Sequence, residues 1–255
     1  DCGASDVLIV YRLMQTDVNS AQMRLVPGHS PSLAAVRRTI RQARALGLRA
    51  GLMPVIGIEH RGNNEWRGSL TFDGEPHAWF AAYRTHLEDA ARIDGEWRQL
   101  IGHLREGFAG TLTYSANWDR YPHVRFWDAL DEVAVSAYFR MDGGDAGALW
   151  QAHLGELRDF ARSVSRPLLI SEVGYPAHAH AAEVPWDETR DAHLDVAEQA
   201  RLLSAFCQAH VPERDGGYYV WNWFGRGGPR DPGFSLRGKP AANVFERCME
   251  ESDDE

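Results

Sequence analysis

The chain is expected to fold as an α/β protein of the (β/α)8 TIM-barrel class, and three observations predict it. Short apolar runs alternate with longer stretches of helical periodicity, the pattern of βα units repeated around a parallel sheet. Its 255 residues, 44% of them hydrophobic, suffice for one large core, and α/β barrels of this size are single domains. The apolar runs also end abruptly, as in Arg166-Pro-Leu-Leu-Ile-Ser-Glu172-Val-Gly-Tyr-Pro176. There Gly174 and Pro176 stop a buried strand and leave Glu172 where strand gives way to loop.

The elements follow in order. Val7 to Leu13 reads as a strand. Ser30-Pro31-Ser32 starts a helix, with Ser30 as its cap and Pro31 in the first turn, that runs to Leu46 and ends at Gly47. Leu48 to Ile58 holds the next strand. Pro76 to Arg92 is helical, with Trp79, Phe80, Tyr83 and Leu87 at helical spacing; a second helix, Glu96 to Glu106, follows directly. Strands are expected at Thr111–Ala116, Val133–Tyr138, Leu168–Ser171 and Gly217–Trp223, with a helix between each pair. Trp79, Trp97, Trp127 and Trp150 lie on helical stretches and read as core. Residues 1–248 form one domain on this reading, and 249–255 an acidic, frayed tail.

Six strands fall short of the eight a closed barrel needs. The chain opens Asp1-Cys-Gly without an initiator Met, so a front truncation accounts for one. The other gap falls at Arg92-Ile-Asp-Gly95, where two helices meet with no strand between them. Either the fold lacks its fourth strand, or residues are missing at that junction.

Composition excludes several functions. A formal net charge of −9 argues against nucleic acid, whose phosphates need a basic face. No apolar run is long enough to span a membrane, and no signal peptide is present. Compartment, secreted or cytoplasmic, and oligomeric state are left open. Cys2, Cys207 and Cys248 lie far apart without CxxC spacing; one disulfide can form, but free buried thiols are favoured. His178-Ala-His180 offers two ligands of one metal and no third, so neither metal nor cofactor is expected. Gly143-Gly144 and Gly227-Gly228 are turn glycines rather than a phosphate cradle, and no Gly-x-Ser-x-Gly is present.

In parallel α/β folds chemistry gathers at the C-terminal strand ends. Here those ends carry Glu59-His60, Asn117-Trp118-Asp119, Tyr138-Phe139-Arg140, Glu172 with Tyr175, and Trp221-Asn222-Trp223. Carboxylates ringed by Trp and Tyr suit a sugar: aromatic faces stack on pyranose rings while carboxylates work on the glycosidic bond. Trp221 and Trp223, two residues apart, share a face of their strand and are expected to point inward.

Several blocks resemble the (β/α)8 glycoside hydrolases of family 113 and their relatives in clan A, which include β-mannanases. They are Leu112-Thr-Tyr-Ser-Ala-Asn-Trp-Asp119, Phe126-Trp-Asp-Ala-Leu-Asp131 with Ala134-Val-Ser-Ala-Tyr138, Ser171-Glu-Val-Gly-Tyr175, and Trp221-Asn-Trp-Phe224 with Ser235-Leu-Arg-Gly-Lys-Pro240. The resemblance implies a retaining glycosidase acting on a β-linked, mannan-like oligo- or polysaccharide. Glu172 matches the nucleophile, and Tyr138 a tyrosine that hydrogen-bonds it. Trp221 or Trp223 would form the sugar platform beside the cleavage point, with Asn117, Trp118 and Tyr175 contributing to the cleft. A phenol donating to a carboxylate stabilises its ionised, nucleophilic form.

The chain also departs from the family. Relatives carry an acid/base Glu at the end of the fourth strand, the one missing around Arg92 to Gly95; Glu96 belongs to the following helix. Met53-Pro54-Val55 stands where relatives tend to carry Lys-Pro-His. Glu59 and Asp119 could stand in, but exposed carboxylates more often serve loops and caps. Loss of a general acid costs about 10²–10⁴-fold. Two rivals to hydrolysis therefore stay open: a carbohydrate-binding pseudoenzyme that keeps the aromatic cleft, and a barrel scaffold that binds another protein through its acidic surface.

Overall fold

The computed structural model describes residues 4–20, 22–62, 94–190 and 192–253. The chain divides into two compact units, Ala4–Ala109 and Gly110–Glu255, the latter also taking in the first three residues.

The first unit holds β1 (Asp6–Gln15), β2 (Met23–Arg24), α1 (Leu33–Ala45), β3 (Arg49–Ile58) and α2 (Asp94–Gly107). Strands β1 and β3 pair in parallel from Asp6 opposite Arg49 to Gln15 opposite Ile58, with α1 as the crossover. The short β2, not foreseen from sequence, adds to β1 antiparallel. Helix α1 starts later than expected: Ser32, not Ser30, is the cap, and its Oγ accepts from the Ala35 N–H at 3.2 Å. Pro31 therefore precedes the cap rather than entering the first turn. Helix α2 forms where expected, beginning two residues earlier. The expected helix over 76–92 and the junction at 92–93 lie outside the described residues.

The second unit holds β4 (Thr113–Asn117), β5 (Glu132–Ser136), α3 (Ala146–Ser163), β6 (Leu168–Val173), α4 (Val196–Ala209), α5 (Pro212–Asp215), β7 (Tyr218–Val220) and α6 (Pro240–Asp253). Its four strands lie in sequence order, all parallel. Val133, Ala134, Val135, Ile170 and Val173 are fully buried, which explains runs that are continuously apolar rather than alternating. Trp150, Leu154, Leu157 and Ala161 recur at helical spacing along α3 and are buried, as are Leu202, Leu203 and Phe206 of α4. Each of these leucines, and Phe206, contributes roughly 1.5–3 kcal/mol. Both helices start on an aspartate cap: Asp145 accepts from the Ala148 N–H at 2.9 Å, and Asp195 from the Glu198 N–H at 2.8 Å. The Arg158 guanidinium of α3 pairs with the fully buried Asp215 of α5, tying the two helices together.

Other expectations are corrected. No α-helix joins β4 to β5: two 3-10 turns, Tyr121–His123 and Trp127–Ala129, bridge them. Pro122 limits the first turn, and the Trp127 indole plugs the core while donating to the Tyr121 carbonyl at 3.1 Å. Helix α6 extends through Asp253. Cys207 and Cys248 form a disulfide between α4 and α6, their Cα atoms 5.8 Å apart, where free thiols were favoured. Their sequence separation of 41 carries no pairing signal until the two helices pack. Closing a loop of that length is worth about 4 kcal/mol by chain entropy. Reduction, or Cys248→Ser, is expected to lower Tm by about 10 °C in a calorimetric scan. Among the described residues no helix is long and apolar enough to cross a membrane.

Candidate active site

The site is built on β4, β5 and β6 with the chain that follows β7. Along β5, Val135 faces Ile170 but Ser136 faces Glu172, so β6 carries one extra residue, Ser171. The pairing with β7 shows the same excess, stepping from Ile170 opposite Tyr218 to Val173 opposite Val220. A bulge of this kind bends the strand and re-aims the next side chain. Here the next side chain is Glu172. Its carbonyl accepts from the Ala137 N–H at 2.7 Å, and the Ser171 hydroxyl reaches Ser115 Oγ of β4 at 2.6 Å.

Asn117, Ser136 and Glu172 stand in register across β4, β5 and β6, one row at the C-terminal edge of the sheet. Ser136 Oγ donates to Asn117 Oδ1 at 3.3 Å, and Asn117 Nδ2 donates to Asp119 Oδ1 at 2.8 Å. Tyr138, two residues past the end of β5, donates its hydroxyl to Glu172 Oε2 at 2.8 Å. Both side chains are half-buried, within reach of a ligand yet partly shielded from bulk water.

The chain after β7 runs beside the end of β6. The Trp221 N–H donates to the Val173 carbonyl at 2.8 Å, which brings the Trp221 backbone beside Gly174. A Cβ on residue 174 would fall far inside van der Waals distance of the Trp221 carbonyl oxygen, so this crossing requires glycine. The Trp221–Asn222 peptide is cis. Trp221 is half-buried and meets Phe224 edge to face at 5.3 Å.

Further along, Phe234 is buried and packs edge-on against the Tyr138 ring, with centroids 6.0 Å apart. Its segment is fixed from two sides. Gln199 of α4, fully buried, donates to the carbonyls of Tyr175 at 2.7 Å and Phe234 at 3.1 Å. Lys239, the only lysine, donates to the Gly233 carbonyl at 2.6 Å, and burial holds its ammonium below the usual lysine range. Burial pushes Asp231 up, but the Gly233 and Gly227 N–H groups and the nearby Lys239 and Arg226 charges outweigh it, leaving its carboxyl below the usual range.

The model of Glycoside Hydrolase Family 113 matches residues 89–231, more than half of the chain. The chain belongs to glycoside hydrolase family 113. The chain is also similar in structure to a GH113 β-mannanase from Alicyclobacillus acidocaldarius solved in complex with ManMIm. That match has 26% identity and a TM-score of 0.87, covering 98% of this chain and 88% of that one. Two structures of GH113 β-1,4-mannanase, one of them a complex, match at 20% identity with TM-scores of 0.80 and 0.81; each match covers 96% of this chain and 88% of that one. No curated protein matches. The expected TIM-barrel class is thus the fold of this family 113 chain.

Within that family fold, the predicted site residues divide. Asn117, Tyr138, Glu172 and the Trp221 backbone come together as described. Tyr175 does not belong to the cleft: it is 2% exposed, and its hydroxyl accepts from the Trp150 indole at 2.8 Å. Burial raises its phenol well above the usual range, so it stays a neutral core group. Trp223 does not share a face with Trp221, because β7 stops at Val220 and strand alternation does not continue. Its ring lies near Phe245 of α6, with centroids 6.5 Å apart. Trp118 stacks on Trp186, a residue the sequence reading passed over. Gln199 and Phe234 were missed too; the signal for Gln199 was an amide on the apolar face of α4.

The proposed stand-in carboxylates are already engaged. Glu59 pairs with Arg24 at 2.6 Å within its own unit, and Asp119 takes the Asn117 amide and lies 3.3 Å from the Arg120 guanidinium. His178 is committed to its loop: Nδ1 accepts from the His180 N–H at 3.2 Å, which leaves Nε2 to donate to the Asp187 carbonyl at 2.8 Å.

Proposed function

We propose that the chain is a glycoside hydrolase acting on a β-mannan-type oligo- or polysaccharide with retention, and that Glu172 is its nucleophile. The observation that carries this is the 2.8 Å hydrogen bond from Tyr138 to Glu172, aimed by a bulge at the C-terminal edge of a parallel sheet. In the first step the Glu172 oxygen attacks the anomeric carbon as the bond to the leaving oxygen breaks, and that oxygen takes its proton from a second carboxyl acting as general acid. In the second, water cleaves the glycosyl ester and regenerates the carboxylate. Tyr138 fixes the carboxyl plane through its hydrogen bond to Oε2. The similar A. acidocaldarius protein is a β-mannanase, which supports mannan as the substrate class. Trp221 is the platform for the ring beside the cleavage point, and Asn117 a hydrogen-bonding partner for its hydroxyls.

A second reading, sugar binding without efficient turnover, is favoured by one observation. Glu59 and Asp119, the other carboxylates named at the strand ends, are each held by an arginine. A retaining mechanism needs a second carboxyl about 5–5.5 Å from the nucleophile. Leaving-group chemistry separates the two readings. A dinitrophenyl β-mannoside expels its phenolate without protonation, whereas mannan requires an acid. Hydrolysis of both supports the first reading; hydrolysis of the activated glycoside alone supports the second, with Glu172 still a nucleophile. Turnover of neither, in a folded protein, rejects the proposal.

A further inference from the structure

We infer that Trp186, stacked on Trp118, forms a second carbohydrate platform that grips a β-linked polysaccharide away from the cleavage point, so that long chains are held better than short ones. This deepens the function proposed above and rests on it for the class of sugar.

The two indoles lie nearly parallel, 18° apart with centroids at 5.9 Å, yet Trp186 remains 46% exposed. Trp is ordinarily among the most buried residues on average. An indole left in water on one side while stacked on the other is an apolar surface awaiting a partner, and the C–H face of a pyranose fits it.

The pair sits beside the site rather than in it. Tyr138 turns toward Glu172, but its neighbour Phe139 turns toward α3, meeting Trp150 and stacking on His153 at 4.1 Å. Trp118 packs edge-on against that same Phe139, at 5.9 Å. The aromatic pair therefore packs against Phe139, on the side facing α3, and not against the Tyr138–Glu172 pair. Asp119, Asp187 and Glu188 flank the two indoles in sequence, so the exposed ring lies in a polar stretch of chain rather than in a broad apolar patch.

Trp186 is also held in place. Its loop is tied to Met141 by the Ala182 carbonyl at 2.7 Å, to His178 through Asp187, and closed by the Ala179–His193 and Asp195–Ala177 backbone bonds at 3.0 and 2.9 Å. A platform fixed before binding costs little ordering entropy.

The test uses the full chain with Glu172→Gln, which prevents turnover, run through native gels with and without soluble glucomannan. That protein should be retarded by the polymer. Adding Trp186→Ala should weaken polymer affinity about tenfold, whereas Trp186→Tyr should keep most of it. With Glu172 intact, Trp186→Ala should leave hydrolysis of a dinitrophenyl β-mannoside unchanged. Equal retardation with and without Trp186, or none in either, overturns the platform, as does a Trp186→Tyr protein that is folded yet no better than Trp186→Ala. Retardation that depends on Trp186 in a protein unable to hydrolyse any glycoside would instead count against Glu172 and leave the platform standing.

Discussion

Glu172→Gln should leave the fold intact and lower turnover of a dinitrophenyl β-mannoside by about 10⁴-fold. Glutamine keeps the volume and can still accept the Tyr138 hydrogen bond on its oxygen. It cannot form the glycosyl ester. Stability should therefore shift little, because the half-buried position is still filled and the Tyr138 hydroxyl still has an oxygen to donate to. The magnitude also separates roles. A loss of only a few fold, with unchanged Tm, would make Glu172 a sugar-binding group and move the nucleophile elsewhere. A large loss accompanied by a collapse in Tm would point to a structural carboxylate instead.

Gly174→Ala is expected to have the second-largest effect, this time through the backbone. The added methyl meets the Trp221 carbonyl, not the flexible end of a side chain, so relief requires β6 and the chain after β7 to part. That movement would break the Trp221-to-Val173 hydrogen bond, which is 2.8 Å long. The cost should be about 3 kcal/mol, at the upper end for overpacking. Because Trp221 is displaced relative to Glu172, catalytic efficiency should fall further than the loss of folded protein explains. Denaturant melts and kinetics on the same preparation check both halves. The opposite end of the strand pair makes a useful control. Gly216, with φ of 62°, crowds the Leu168 carbonyl in the same way, so Gly216→Ala should destabilise without a selective effect on turnover.

Much of this was legible in the residues themselves. The apolar run Leu168–Ile170, cut off by Gly174 and Pro176, was enough to put Glu172 at a strand end. The blocks around Asn117, Tyr138 and Trp221 were enough to suggest family 113. What sequence could not supply were relations fixed only by packing. The bulge at Ser171 is a property of register against two neighbouring strands, and no local signal announces it. The pairing of Trp223 with Trp221 failed because alternation was carried past Val220, where the strand had already ended. Tyr175 looked like a cleft residue until the Trp150 indole claimed its hydroxyl. Trp186, flanked by Pro185 and Asp187 in a loop, belongs to no periodic pattern. The Cys207–Cys248 bond likewise becomes visible only once α4 and α6 are side by side.

The central claim is that the Glu172 carboxylate bonds covalently to the sugar, and trapping tests it most directly. A 2-deoxy-2-fluoro-β-mannosyl fluoride carries a leaving group that departs without strong acid help, and the 2-fluoro substituent slows hydrolysis of the glycosyl ester. Incubation followed by peptic digestion and mass spectrometry should find one fluoromannosyl adduct per chain, on the peptide containing Ser171-Glu172-Val173, and none in Glu172→Gln. An adduct on any other carboxylate, or none while the activated substrate is still being turned over, would contradict the account.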